Sequence, residues 1–448
     1  MVLVKQNVLE TLRQRILRHK MDRGEWLIML VIIWYVFADT LTNVLKLPKV
    51  LPYLGDLVNM YVFGYALLHR KSRYRSNKKN NWPLIFMITF AMIGLASSVT
   101  NRAGVILTLW GCRQSLRYFL FFYSCCSLFN VNSLDYFLTL VKWLFWISCP
   151  LCFYEAFFFK VSSNLVLGDT VGGIYYGFFG VNAALNILLI THSAVTIIRF
   201  LDNKCGMLEL IVTLGAAMFM SSCAELKVFL LEVVMIAGIA MIRKGPDRRV
   251  MLLAMVGVVG LIATVSLFVF INARGRRYYT TDMFSISGLL HIATDDAGYI
   301  GNGDLTHLNA ISRLYDMFFE NDLFRTLFGY GIGNADYSSG FEMLQSKFYV
   351  NYGYLHYYWF MHAFVFVETG FAGLAVFVLI LLTAYRAGKK HLAGNRNLQT
   401  FYYIQVLLMI VLLPYNQEMR AESCAYTLYF LLAIPFMYKN FGGRLRTI

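Results

Sequence analysis

The chain has 448 residues, of which 58% are hydrophobic and only 15% charged, whereas a soluble globular domain is about half apolar and about a quarter charged. The apolar excess falls in about a dozen blocks of membrane-spanning length, roughly 17–25 residues each, which excludes a soluble enzyme, a disordered chain and a secreted disulfide scaffold; the short alternating segments of a β-barrel are absent. The net charge of +15, from 40 Lys and Arg against 25 Asp and Glu, is that of a polytopic membrane protein with basic cytoplasmic loops, and it does not call for nucleic acid.

In chain order, residues 1–25 form a polar, basic tail. No small-residue cleavage pattern follows the first apolar run, so no cleavable signal peptide is expected. Apolar segments then predict transmembrane helices at 26–43, 47–69, 83–100, 105–128, 135–158, 173–199, 207–222, 225–242 and 250–272. The seventh and eighth also read as one kinked element. Residues 273–357 contain no spanning segment and form one large loop. Its stretch His307 to Asn321 predicts a short helix with Leu308, Ile311, Leu314, Tyr315 and Phe318 on one face. Three more spans follow at 358–385, 399–415 and 421–438, and residues 439–448 close the chain as a second tail. The expectation is an all-α polytopic membrane protein of about 12 transmembrane helices, 1–9 over 26–272 and 10–12 over 358–438. With that count, the basic clusters at Lys5–Arg23, Arg70–Lys79, Arg243–Arg249, Arg386–Arg396 and Lys439–Arg446 share one side. Both termini are therefore expected in the cytoplasm and loop 273–357 outside it.

Ionisable groups within spans mark function or polar pairing. Arg113 and Arg117, four apart on the fourth span, share one helix face, and Arg102 lies just outside that span. Forked guanidinium donors suit phosphate oxygens, so the column reads as a cradle for a lipid-linked diphosphate, or as partners for carboxylates on neighbouring helices. Lys227, two residues from Glu225 at the start of the eighth span, faces either a ligand or the interface. Arg274, Arg276 and Arg277 follow the ninth span as headgroup contacts or snorkelling anchors. Arg313 lies on the loop helix. The glycines of LFGYGIGNADYSSG, 329, 331 and 333, form neither a Walker loop nor a dinucleotide fingerprint. His356 is expected where the tenth span begins, as an interfacial base or an aromatic-belt residue. His362 lies six residues deeper, about 9 Å along a helix. Arg420, between Glu418 and Glu422, is a second-tier anion or sugar contact. The eight cysteines show no zinc spacing, and Cys149 and Cys152 form a CxxC within a predicted span. No metal site and no cofactor are expected.

The segments AISRLYDMFFENDLFRTLFGYGIGNA and HYYWFMHAFVFVETGFAGL together resemble the O-antigen ligase and polysaccharide polymerase superfamily. Arg313 matches its Arg preceding a helix, Gly329, Gly331 and Gly333 its G-x-G turn, and Glu368, Gly370 and Gly373 its E-x-G-x-x-G. The family's His-Asn falls near Trp359, with His356 and His362 on either side; His356 is favoured as nearer the interface. The resemblance covers about seventy residues and implies a GT-C-like, metal-independent membrane glycosyltransferase of the Wzy type. It implies an undecaprenyl-diphosphate-linked oligosaccharide as donor and as acceptor in the bacterial cytoplasmic (inner) membrane. Arginines would bind the diphosphate and a loop group would activate the acceptor hydroxyl. Chain-length regulators and export proteins are further candidate partners. The tyrosine-rich loop favours a polymerase of capsule, exopolysaccharide or O-antigen over a ligase acting on lipid A core. A transporter or flippase of lipid-linked sugars is the rival from another class, although no repeated halves are visible.

Overall fold

The computed structural model describes residues 20–48, 50–69, 81–158, 168–176, 181–272, 288, 294, 303–338 and 341–441. The apolar segments are helices: α1 (Arg23–Asn43), α2 (Leu51–His69), α3 (Trp82–Thr100), α4 (Val105–Leu128), α5 (Leu134–Phe158), α6 (Val181–Leu201), α7 (Met207–Cys223), α8 (Val228–Lys244) and α9 (Arg248–Asn272). The short helices α10 (Ala310–Phe318), α11 (Leu323–Phe328) and α12 (Lys347–Tyr352) follow, then α13 (Met361–His391), α14 (Arg396–Leu412) and α15 (Glu422–Phe441). No strand occurs among the described residues. Among the described residues, six helices, α1, α3, α5, α6, α9 and α13, are long and apolar enough to cross a membrane. The other long helices are shorter or carry more polar groups, as α4 does with Arg113, Gln114 and Arg117.

Burial separates centre from periphery. In the apolar window of α6, 89% of residues are buried, against 17% in that of α9. Met251, Met255, Val259 and Ile262 of α9 are exposed with no protein over them, as suits a lipid-facing helix.

Three expected boundaries move. The sixth segment, expected from residue 173, has its helix at Val181–Leu201: Gly172 and Gly173 donate their N–H groups to the Glu155 carboxylate, at 3.0 and 2.7 Å, and residues 173–175 form a 3₁₀ turn. The loop helix is shorter, Ala310–Phe318, and leaves Leu308 exposed. His356 precedes α13 by five residues in a left-handed conformation, φ 55°, so His356 and His362 do not share a helix. The seventh and eighth segments are two helices joined by a tight turn with Glu225 at φ 53°. All eight cysteines are free.

The described part of the 273–357 loop is a cap with its own core, built from Leu305, Leu314, Phe319, Phe348, Leu355 and Tyr357 against the first turns of α13. One irregular strand of backbone joins cap to bundle. Gly370 (φ 62°, ψ −165°) breaks α13, and an added Cβ there would lie 2.4 Å from the Leu327 carbonyl carbon. The carbonyls of Val367 and Glu368 are satisfied by Tyr330 N–H at 2.9 Å and Gly331 N–H at 2.8 Å, and the Glu368 carboxylate accepts from Gly333 N–H at 2.8 Å. Buried backbone polar groups need such partners. The G-x-G turn and the E-x-G segment, far apart in sequence, are therefore one interlocked unit. At Gly333 (φ 87°) a Cβ would lie 2.0 Å from the Leu107 carbonyl oxygen of α4.

Candidate functional site: a charge-balanced arginine cavity beside an Asp–His pair

The unit delivers Tyr337 and Ser338 to a cavity of about 220 Å³ between α2, α4 and the α14–α15 turn. Arg113, Arg117 and Arg420 line it, with Tyr53, Trp110, Tyr337, Gln417 and Glu422. The i,i+4 spacing on α4 brings Arg113 and Arg117 to one face, as the sequence implies. Both are paired with carboxylates. Arg113 lies 2.6 Å from Asp56 of α2 and 3.3 Å from Glu422; Arg117 lies 3.2 Å from Asp56 and 2.8 Å from Glu422. Gln114 accepts from both guanidiniums, at 3.1 and 2.8 Å, and Tyr35 donates to Asp56 at 2.7 Å. The Arg113 guanidinium also lies over the rings of Tyr53 and Trp110, at 4.5 and 4.7 Å. Of the column, Arg113 and Arg117 are thus paired with neighbouring carboxylates, which compete with any anion bound in the cavity.

Arg420, second-tier by sequence, is central. It is buried, bonded to the buried Asp336 carboxylate and stacked over Phe364 at 3.7 Å. Asp336 had no sequence signal beyond lying in the turn after the glycines; Asp56 had only its place in an otherwise apolar segment.

A second group lies in the cap, two ring contacts from the cavity. His356 Nδ1 lies 3.2 Å from the fully buried Asp304 carboxylate. An acceptor there fixes Nδ1 as the donor and leaves Nε2 as the basic nitrogen of the neutral ring. The imidazole is stacked on Trp359 at 3.9 Å and 12°, and Leu305 N–H donates to the Leu355 carbonyl at 3.1 Å, which holds the two segments in register. Arg313 braces the same loop: its guanidinium donates to the carbonyls of Asp304 (2.8 Å) and Gly303 (3.0 Å). Asp304 was missed in the sequence, where nothing links it to His356, 52 positions away. The Tyr358 ring bridges from His356 (6.1 Å) to Tyr337 (4.8 Å), which lines the cavity.

The remaining candidates lie elsewhere. Arg102 is exposed in the α3–α4 turn at φ 51°. Lys227 is half-buried at the start of α8. Neither lines the cavity. His362 is buried in the first turn of α13, where its backbone N–H donates to the Leu413 carbonyl at 3.1 Å. Arg274, Arg276 and Arg277 lie outside the described residues. Nearby, Asn186 donates to two buried carboxylates, Glu232 (3.0 Å) and Glu418 (3.2 Å). Burial pushes the Glu418 carboxyl up to about 8, and it pushes the imidazole of His307, stacked on Tyr415, down to about 4. No group of three or more metal-ligating side chains occurs among the described residues. No protein-family model and no curated protein matches the sequence.

Proposed function

We propose that the protein is a polymerase of surface polysaccharide, a membrane glycosyltransferase joining undecaprenyl-diphosphate-linked repeat units at the external face of the bacterial cytoplasmic membrane. The observation that carries this reading is one cavity shared by three guanidiniums and an aromatic wall, with an Asp-oriented histidine two ring contacts away. The chain crosses the membrane twelve times. Lys389, Lys390 and Arg396 lie at the end of α13 and α14 away from the cavity, and that end is cytoplasmic by the positive-inside rule.

Arg113, Arg117 and Arg420 take the donor diphosphate, and Glu422, the most exposed carboxylate of the network at 30%, is the one displaced. Tyr53, Trp110 and Tyr337 stack on sugar rings. His356 Nε2 removes the acceptor hydroxyl proton as that oxygen attacks the anomeric carbon of the donor. The anomeric C–O bond breaks with inversion, and its electron pair leaves on the diphosphate, whose growing charge the guanidiniums stabilise. Asp304 holds the histidine tautomer, and Arg313 holds Asp304.

The site is tested by binding of a synthetic prenyl diphosphate to the purified protein. E422Q removes the competing carboxylate and is expected to tighten binding several-fold, whereas R117M weakens it tenfold or more. Weaker binding by E422Q would make the network purely structural. In a deletion strain, single repeat units with no long chains are expected on the carrier. Full-length carrier-bound chains would instead indicate a ligase, and units held on the cytoplasmic face a flippase.

A further inference from the structure

We propose a second anion site, for a phosphate group, at the opposite end of the bundle. A cavity of about 70 Å³ lies where the ends of α6 and α8 meet the first turn of α14, lined by Asp202, Arg243, Lys244, Arg396, Asn397 and Thr400 among others. Helix α14 runs from this cavity to the turn that carries Arg420, and its 17 residues separate the two by about 25 Å.

The charge balance distinguishes the two cavities. Around the arginine cavity, Arg113, Arg117 and Arg420 meet Asp56, Glu422 and Asp336. Here three cations face one carboxylate, and that carboxylate is already engaged: Asp202 lies 3.4 Å from Lys244 and accepts from Asn397. The polar partners of Arg243 are both neutral, Gln399 and, at 3.4 Å, Thr400. Its guanidinium lies 5.2 Å over the Tyr403 ring, which fixes its direction. Arg396 has no carboxylate partner among the described residues. The N-terminus of α14 adds the positive end of its dipole. An excess of cations, Arg243 and Lys244 half-buried and Arg396 exposed at the rim, suits an oxyanion that can take two donors from a guanidinium and one from an ammonium. Basic pockets between helices at a membrane surface take the phosphate of anionic lipid headgroups, and the same donors suit free phosphate. The site is independent of the glycosyl-transfer reading, since none of its residues borders the arginine cavity.

The test is thermal unfolding of the full chain in neutral-detergent micelles. One arm titrates sodium phosphate against sodium chloride at matched ionic strength. The other titrates phosphatidylglycerol against phosphatidylcholine. A saturable rise in midpoint with phosphate in both arms assigns a site for the phosphate group itself, and a rise with phosphatidylglycerol alone assigns the lipid headgroup. In either case R243Q and R396Q are expected to raise the half-maximal concentration about tenfold, while R386Q, which removes an exposed charge of α13 outside the cavity, leaves it unchanged. Arg396 is exposed, so R396Q carries the test if R243Q fails to fold. The proposal is overturned if neither titration saturates, or if R386Q weakens the response as much as the cavity variants.

Discussion

Removing Arg420 is expected to destabilise the protein through Asp336 more than through lost contact area. The Arg420 side chain is 8% exposed and that of Asp336 1%. Truncating one member of a buried ion pair strands the other charge, at a cost of about 3–5 kcal/mol. Lost stacking on Phe364, 3.7 Å from the guanidinium, adds up to about 2 kcal/mol at a desolvated site. R420M keeps the apolar stem and isolates the charge effect. D336N retains the oxygen that accepts from Tyr337 N–H at 2.7 Å but has no charge to strand. The double variant R420M/D336N is therefore expected to be more stable than R420M by at least about 2 kcal/mol. Unfolding of all four proteins in neutral-detergent micelles closes the cycle. Simple addition of the two single effects would refute the reasoning, because it would mean that Arg420 and Asp336 do not depend on each other.

Three further outcomes are expected. G333A combines left-handed strain of roughly 1–2 kcal/mol with a Cβ 2.0 Å from the Leu107 oxygen, whereas G303A, at φ 82° with nothing within 4 Å of its Cβ, carries the strain alone; equal unfolding midpoints would contradict the interlocked turn. The pH dependence of stability should have two opposed limbs. Glu418, raised from 4.5 to about 8 by burial, contributes stability fully present below pH 4.5 and lost as pH rises through 8. His307, lowered from 6.5 to about 4, contributes stability present above pH 6.5 and lost as pH falls through 4. E418Q should shrink the first limb and H307F the second, each by its own group's share, read from unfolding midpoints across pH 4–9. Finally, H356A should cut polymer formation by about 10²–10⁴-fold through kcat with little change in KM, and full activity would remove His356 from the role of base; full activity of D304A would remove Asp304 from the role of orienting it.

Helix positions were legible in the sequence because a lipid environment leaves the backbone few options: each apolar block lies within a few residues of a helix. The exceptions have local causes that hydropathy does not register, such as the Glu155 carboxylate that holds Gly172 and Gly173 out of α6. The spacing of Arg113 and Arg117 on one face was equally legible, since it depends only on helical period. What those arginines meet was not. Asp56, Glu422 and Asp336 come from three other segments, and only packing shows that they balance the guanidiniums. The glycines of the turn and Glu368 stand out as separate motifs in the chain. Their joint role, with the turn's N–H groups donating to the carbonyls of a broken α13 and to the Glu368 carboxylate, exists only once the cap is docked. Composition and period thus determined which segments are helical and which faces carry charge, because both are properties of neighbours in sequence. The pairing of Asp304 with His356, the balance of charge in one cavity and its excess in the other were decided by tertiary structure, because Coulomb and hydrogen-bond energies depend on distances between segments remote along the chain.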